Sequence, residues 1–249
     1  TSPEFIRETI GPYGLPVRRG NGDKLTRRQW EFLQKGAIYG FESDADILRM
    51  AAMNAVLRQF DHSPLIHRDS ICGSEDKWDE VQFDVILENP PFSGDRSDAK
   101  RSLRVEKGDK YVLFLAHALR SLRPSGRAGI IFPNGILFGD SNSHIEVKRR
   151  LLREFDLQAV VTLPKGMFEP YTPNPTCFFI FQKTGKPTEN VWFYKLDGDG
   201  SSLKKARKFG PQFRNDFPDL LAKWPKRKTE EGRAWLVPAK LIEEKNFNM

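Results

Sequence analysis

Between residues 37 and 184, short apolar runs alternate with helical runs long enough to carry the chain from one strand to the next. That alternation restricts the fold more than any single motif. "AIYGFESD" (37–44), "LIHRDSI" (65–71), "FDVILE" (83–88), "RAGIIFP" (127–133), "LQAVVTLP" (157–164) and "TCFFIFQKT" (176–184) read as strands, the last of them closing the sheet. Helical patterns over 45–60, 110–122 and 142–155 lie between them. The clearest is the second, where Val112, Leu115, Ala116, Leu119 and Leu122 recur at i, i+3, i+4, i+7 and i+10 until Pro124 and Gly126 stop it. Such an order predicts an α/β chain whose mostly parallel sheet carries helices on both faces. Ligands of these sheets sit beyond the carboxyl ends of the strands.

The ends of the chain are less periodic. Residues 4–10 suggest a helix, 11–29 a loop, and 93–110 a polar, mobile loop. These readings divide the chain into an irregular segment 1–35, a central domain 36–197 and a basic extension 198–249. Of the net charge of +7, residues 186–249 hold +5, with 14 Lys/Arg against 9 Asp/Glu, so a polyanionic partner is in keeping with the composition. The extension carries Trp224 and Trp235 among basic residues; contact with a partner subunit or DNA phosphates and simple solvation are both open. No apolar run approaches the roughly 18 residues of a membrane span. Cys72 and Cys177 lack metal spacing and read as ordinary buried thiols of a reducing, cytoplasmic setting. Thr1 in place of Met suggests a fragment or a processed product.

Polar residues cluster where the strands end. In "ENPPF", Asn89 offers a side-chain oxygen, Pro90 a carbonyl without an N–H of its own, and Pro91 a fixed turn that aims both. Two neighbouring acceptors suit an NH2 group and stabilise the positive charge that develops when such a nitrogen attacks an electrophile. Phe92 is placed to stack on a base; the alternative is a strand terminator with a core Phe. Glu42 suits a ribose-binding carboxylate or an acid offsetting the helix dipole with Ser43 and Asp44. Asp69 suits contact with a cofactor adenine or a plain turn. Lys165, Phe168 and Tyr171 lie in the Gly- and Pro-broken loop "LPKGMFEPYTPNP" and suit phosphate or base contacts, or a solvated loop with aromatic anchors. His62, His67, His117 and His144 have neither metal spacing nor a partnered nucleophile, and His117 reads as structural.

The run "YGFESDADILRMAAMNAVLRQF", "RDSI", "FDVILENPPFSG", "GRAGIIFPNGILFG" and "VVTLPKGMFEPYTPNPTCFFIFQKT" resembles, in order and spacing, the N6-adenine DNA methyltransferase domain of the modification subunit of type I restriction-modification systems. The resemblance covers roughly 36–197. It implies a Rossmann-like methyltransferase fold with S-adenosyl-L-methionine as cofactor and no metal. Asn89, Pro90, Pro91 and Phe92 correspond to the family's catalytic tetrad, Glu42 to its ribose-binding acid, and Asp69 to its adenine contact. It also implies double-stranded DNA as substrate, with a flipped adenine, and as partners a DNA specificity subunit, a restriction subunit and a second modification subunit. The family's first strand and glycine-rich loop have no complete counterpart here; Thr1 to Phe5 is the candidate stub of that loop. A Gly-rich turn lets backbone approach its ligand closely, so weak cofactor binding by this stretch alone is expected. Two rival readings stay open: a methyltransferase acting on a protein glutamine or an RNA base, and a non-catalytic assembly piece.

Overall fold

In a computed structural model of the chain, the described residues are 7–10, 16–19, 26–57, 64–105 and 107–249. The candidate stub Thr1 to Phe5 and His62 lie outside them. The chain divides into two compact units, one reaching to Cys72 and the other running from Gly73 to Met249.

In the first unit, β1 (Arg7–Ile10) and β2 (Pro16–Arg19) form an antiparallel pair. The helix expected over 4–10 is therefore corrected to a strand where it is described, in line with the extended preference of Thr9 and Ile10. The loop expected over 11–29 also contains β2 and the start of α1 (Arg27–Lys35). Thr26 caps that helix. Its hydroxyl accepts from the Gln29 N–H at 3.3 Å while the Gln29 side chain accepts from the Thr26 N–H at 2.8 Å. This Thr-x-x-Gln capping signature is already present in the sequence. β3 (Gly40–Glu42) and β4 (Leu65–His67) pair in parallel on either side of α2 (Ala45–Leu57), as the alternation predicts.

The second unit is built on a six-stranded sheet. Its strands are β5 (Phe83–Glu88), β8 (Leu122–Pro133), β9 (Asp156–Thr162), β10 (Thr176–Gln182), β11 (Asn190–Lys195) and β12 (Ala234–Pro238), in the spatial order β12-β11-β9-β10-β8-β5. β5, β8, β9 and β11 run in one direction; β10 and β12 run against them. α3 (Lys110–Ser121) and α5 (Asn142–Glu154), with the short α4 (Gly135–Phe138) between them in the chain, cover one face with buried Val112, Leu115, Leu119, Val147 and Leu151. Beneath them, edge-on ring pairs join β8 to β10 through Phe132–Phe179 (5.2 Å) and the end of α5 to β10 through Phe155–Phe181 (5.9 Å). On the other face α6 (Phe217–Lys223) sets Leu220 against Trp192, Tyr194, Ala159 and Val161.

Two expectations need correction. β10 is not the last strand, and 198–249 is not an extension: α6, β12 and α7 (Ala239–Glu244) belong to the unit, with Ala234, Ala239, Ile242 and Phe247 buried. Nor is 93–110 a bare loop. β6 (Asp95–Arg96) pairs with β7 (Gly108–Asp109), and in the stretch of chain that joins them Lys100, Leu103 and Val105 are buried. The Lys100 ammonium bonds both Asp79 carboxylate oxygens at 3.0 and 3.1 Å, and Arg150 donates to the Leu103 carbonyl at 2.7 Å. Buried contacts with distant residues hold this polar segment in place. Cys72 and Cys177 are buried thiols, as expected, and burial pushes the Cys177 thiol far above its usual range. Among the described residues no helix is long and apolar enough to cross a membrane.

Candidate active site

Because β5, β8, β9 and β11 share one direction, their carboxyl ends, Glu88, Pro133, Thr162 and Lys195, open on the same edge of the sheet. Four loops meet that edge: the ones beginning at Asn89, Asn134, Leu163 and Leu196. The first holds Asn-Pro-Pro-Phe.

Asn89 is exposed, and Pro90 behind it is buried. Among the described residues, neither the Asn89 amide nor the Pro90 carbonyl makes a hydrogen bond, and the Asn89 side chain is the exposed one of the two. Glu88, just before it, is half-buried, and desolvation pushes its carboxyl up to about 8. Alternation along the strand thus sets the two polar residues on opposite faces. Phe92 is half-buried and meets Phe168 edge-on, with ring centroids 5.9 Å apart and an interplanar angle of 89°. Two residues singled out separately in the sequence are therefore brought together. Lys165 is exposed on the same loop as Phe168. Tyr171 is 91% exposed, with no aromatic neighbour among the described residues, and is not drawn into this pair.

Behind the edge lies a polar group that sequence reasoning missed. The Tyr111 hydroxyl donates to Asp109 at 2.9 Å and sits 3.0 Å from His144 Nε2, while Ser141 Oγ lies 2.7 Å from His144 Nδ1. Burial lowers the His144 pKa and raises that of Tyr111. A side chain at Gly139 would collide with the His144 ring, its Cβ falling 2.1 Å from Cδ2. Lys148, fully buried, donates to the carbonyls of Leu137 (3.2 Å) and Gly139 (2.9 Å), and burial lowers its pKa to about 8. This group fixes the turn that follows "FPNG", whose Asn134 Oδ1 is buried without a partner among the described residues. Tyr111 and His144 are 33 residues apart, and no local pattern joins them.

In the first unit, Glu42 and Asp69 both lie at the carboxyl end of the parallel β3–β4 pair, where Glu42 is aligned with His67. Glu42 Oε1 accepts from the Asp44 N–H at 2.9 Å. The helix cap is Asp44, which accepts from the N–H groups of Asp46 (2.8 Å) and Ile47 (3.1 Å) and whose pKa those bonds lower. Both acids thus sit at the start of α2, and the second Glu42 oxygen is unengaged among the described residues. Asp69 Oδ1 accepts from the N–H groups of Ile71 (2.9 Å) and Cys72 (3.0 Å), the geometry of a turn residue. His67 Nε2 lies 2.9 Å from the Ser43 carbonyl, and His117 is buried on α3.

Residues 23–249 match the family model for N-6 DNA methylases. The EcoEI methylase subunit of a type I restriction enzyme from Escherichia coli is 32% identical over 223 residues, covering 85% of this chain and 44% of that protein. The EcoKI methylase subunit from E. coli K12 is 25% identical, covering 82% of this chain and 40% of that protein. The chain spans less than half the length of these relatives. Among solved structures, a chain of a type I R-M system superposes with a TM-score of 0.74 at 26% identity, covering 91% of this chain and 48% of its own length. The EcoKI M protein gives 0.67 at 23% identity, covering 80% and 43%. The expected α/β, Rossmann-like methyltransferase fold is the one observed.

Proposed function

Since the chain belongs to the N-6 DNA methylase family, we propose that it is the catalytic part of a DNA adenine N6-methyltransferase in a type I restriction-modification complex. A flipped adenine enters the carboxyl-end edge, and its amino group lies between the Asn89 side-chain oxygen and the Pro90 carbonyl. Those acceptors accept hydrogen bonds from the two amino hydrogens, keep the nitrogen lone pair directed outward and stabilise the positive charge that grows as the N–C bond forms and the methyl–sulfur bond breaks, the surplus amino proton then passing to solvent. Phe92, oriented by its contact with Phe168, packs on the base. Much of the rate comes from alignment and exclusion of water. S-adenosyl-L-methionine supplies the methyl group. The unengaged oxygen of Glu42 fits its ribose hydroxyls, and Asp69 is the candidate contact for its adenine. The complex would include double-stranded DNA, a specificity subunit, a restriction subunit and a second copy of the methylase subunit, in the cytoplasm.

The observation that carries this reading is the pair of unengaged acceptors at the end of β5, beside the Phe92–Phe168 contact. In the complete protein, Asn89→Ala should cut methyl transfer from labelled S-adenosyl-L-methionine to duplex DNA by at least a hundredfold, without lowering the melting temperature. Near wild-type transfer by that variant would refute it.

A further inference from the structure

The fourth loop at the carboxyl-end edge, after β11, has no part in the chemistry above. It closes on itself through the bridges Asp199 with Asn215 and Ser201 with Phe209, and through Gly200 N–H to Arg214 carbonyl (2.8 Å) and Ser202 N–H to Lys208 carbonyl (2.9 Å). Its tip, Leu203 to Arg207, is pressed against the loop that carries Lys165 and Phe168. Arg207 donates to the Met167 carbonyl at 2.7 Å. A Cβ on Gly166 would come within 2.5 Å of the Leu203 carbonyl, so the two backbones touch where only glycine fits.

The charges of this loop are sorted. Its acids are all taken: Asp199 by Arg207, Asp197 by Lys195 (3.2 Å) and Arg214 (3.1 Å), Asp216 by Arg214 (2.9 Å) and Arg233 (3.3 Å). Lys204, Lys205 and Lys208 are exposed, and among the described residues none has an acidic partner; the same is true of Lys165 on the facing loop. The nearest acid in sequence on that loop is Glu169, which is half-buried. A rigid tip whose arginine is neutralised and whose lysines are not is a fixed positive field beside the aromatic pair.

We propose that Lys204, Lys205 and Lys208, with Lys165 opposite, hold the phosphate backbone of the DNA strand next to the flipped adenine. This rests on the reading that the edge receives DNA. Lysines act there as point charges and release counterions, so they set affinity and salt dependence, not sequence preference.

The test is binding of duplex DNA to the complete protein across a salt series. Each phosphate contact contributes about 0.9 to the slope of log K against log salt. Lys204→Gln/Lys205→Gln/Lys208→Gln should lower that slope by roughly 2–3, weaken binding at low salt by at least about tenfold and raise the KM for DNA more than it lowers kcat. The triple Arg variant should restore the slope, and the melting temperature of both should match wild type. An unchanged slope overturns the proposal. So does an assembly defect with the slope intact, which would make the loop a protein contact. Asn89→Ala separates the two readings: it should keep the full slope while losing methylation. If it stays active, the catalytic reading fails and the lysine result still stands or falls on the slope alone.

Discussion

Glu88 and Asn89 are adjacent in sequence and opposite in environment. One is a half-buried carboxyl whose pKa desolvation raises to about 8, the other an exposed amide. For an acid whose folded pKa lies above its unfolded value, the folded state holds the extra proton. Its contribution therefore favours folding at low pH and is lost as pH rises from about 4.5 towards 8. Glu88→Gln should accordingly raise the melting temperature by several degrees near pH 7.5 and change it little near pH 4.5, flattening the profile between; equal shifts at both pH values would rule this out. Asn89 and its prolines were legible in the sequence because ring-locked residues after an apolar strand leave few conformations open. Glu88 had a weaker signal: it shares a strand face with Ile86, so period-two alternation places it on an apolar side. The Tyr111–His144 pair had none, since it exists only once α3 and α5 lie side by side.

At the scale of elements, the segment between Gly94 and Lys110 shows how composition misleads. Its charge and glycine content predict mobility, yet an ion pair between residues 21 positions apart anchors it, with side chains only 1% exposed. Without the ammonium, the buried Asp79 carboxylate keeps the more distant Arg120 guanidinium, at 3.6 Å, and the Asp76 N–H, at 2.8 Å, and loses its closest cation. Lys100→Met should destabilise the protein by about 3–5 kcal/mol, read from denaturant midpoints, and should loosen the backbone just after Phe92 as seen by hydrogen exchange. A loss under about 1 kcal/mol would mean that the pair is solvated in solution. Helices were easier to read than this segment because their apolar spacing is local, whereas the buried pairing of a lysine with a distant aspartate leaves no periodic trace.

For the whole molecule, the alternation of strands and helices gave the fold class, and it failed where pairing replaced periodicity. β12 is five residues long, and nothing in "AWLVP" distinguishes an edge strand from a loop until β11 lies beside it. Together β12 and α6 cover Trp192 and Tyr194, which are 0% and 1% exposed. Aromatic side chains of this size bury roughly 150–250 Å2 each, or about 4–6 kcal/mol per ring at ~25 cal/mol per Å2. That is comparable to the whole stability of a domain, about 5–15 kcal/mol. Truncation after residue 197 should therefore give aggregated material by size-exclusion chromatography; a monodisperse, cooperatively melting product would contradict this integration.

β10 runs antiparallel between β8 and β9, so the chain that leaves Thr162 returns at Thr176 beside its point of departure, pinned by the Leu163 N–H to the Thr176 carbonyl at 2.9 Å. A crossover has to span a sheet; a hairpin only has to turn. The stretch bearing Lys165, Phe168 and Tyr171 is consequently released from any duty of reach, and selection can lengthen, shorten or rewrite much of its outer part while every strand stays where it is.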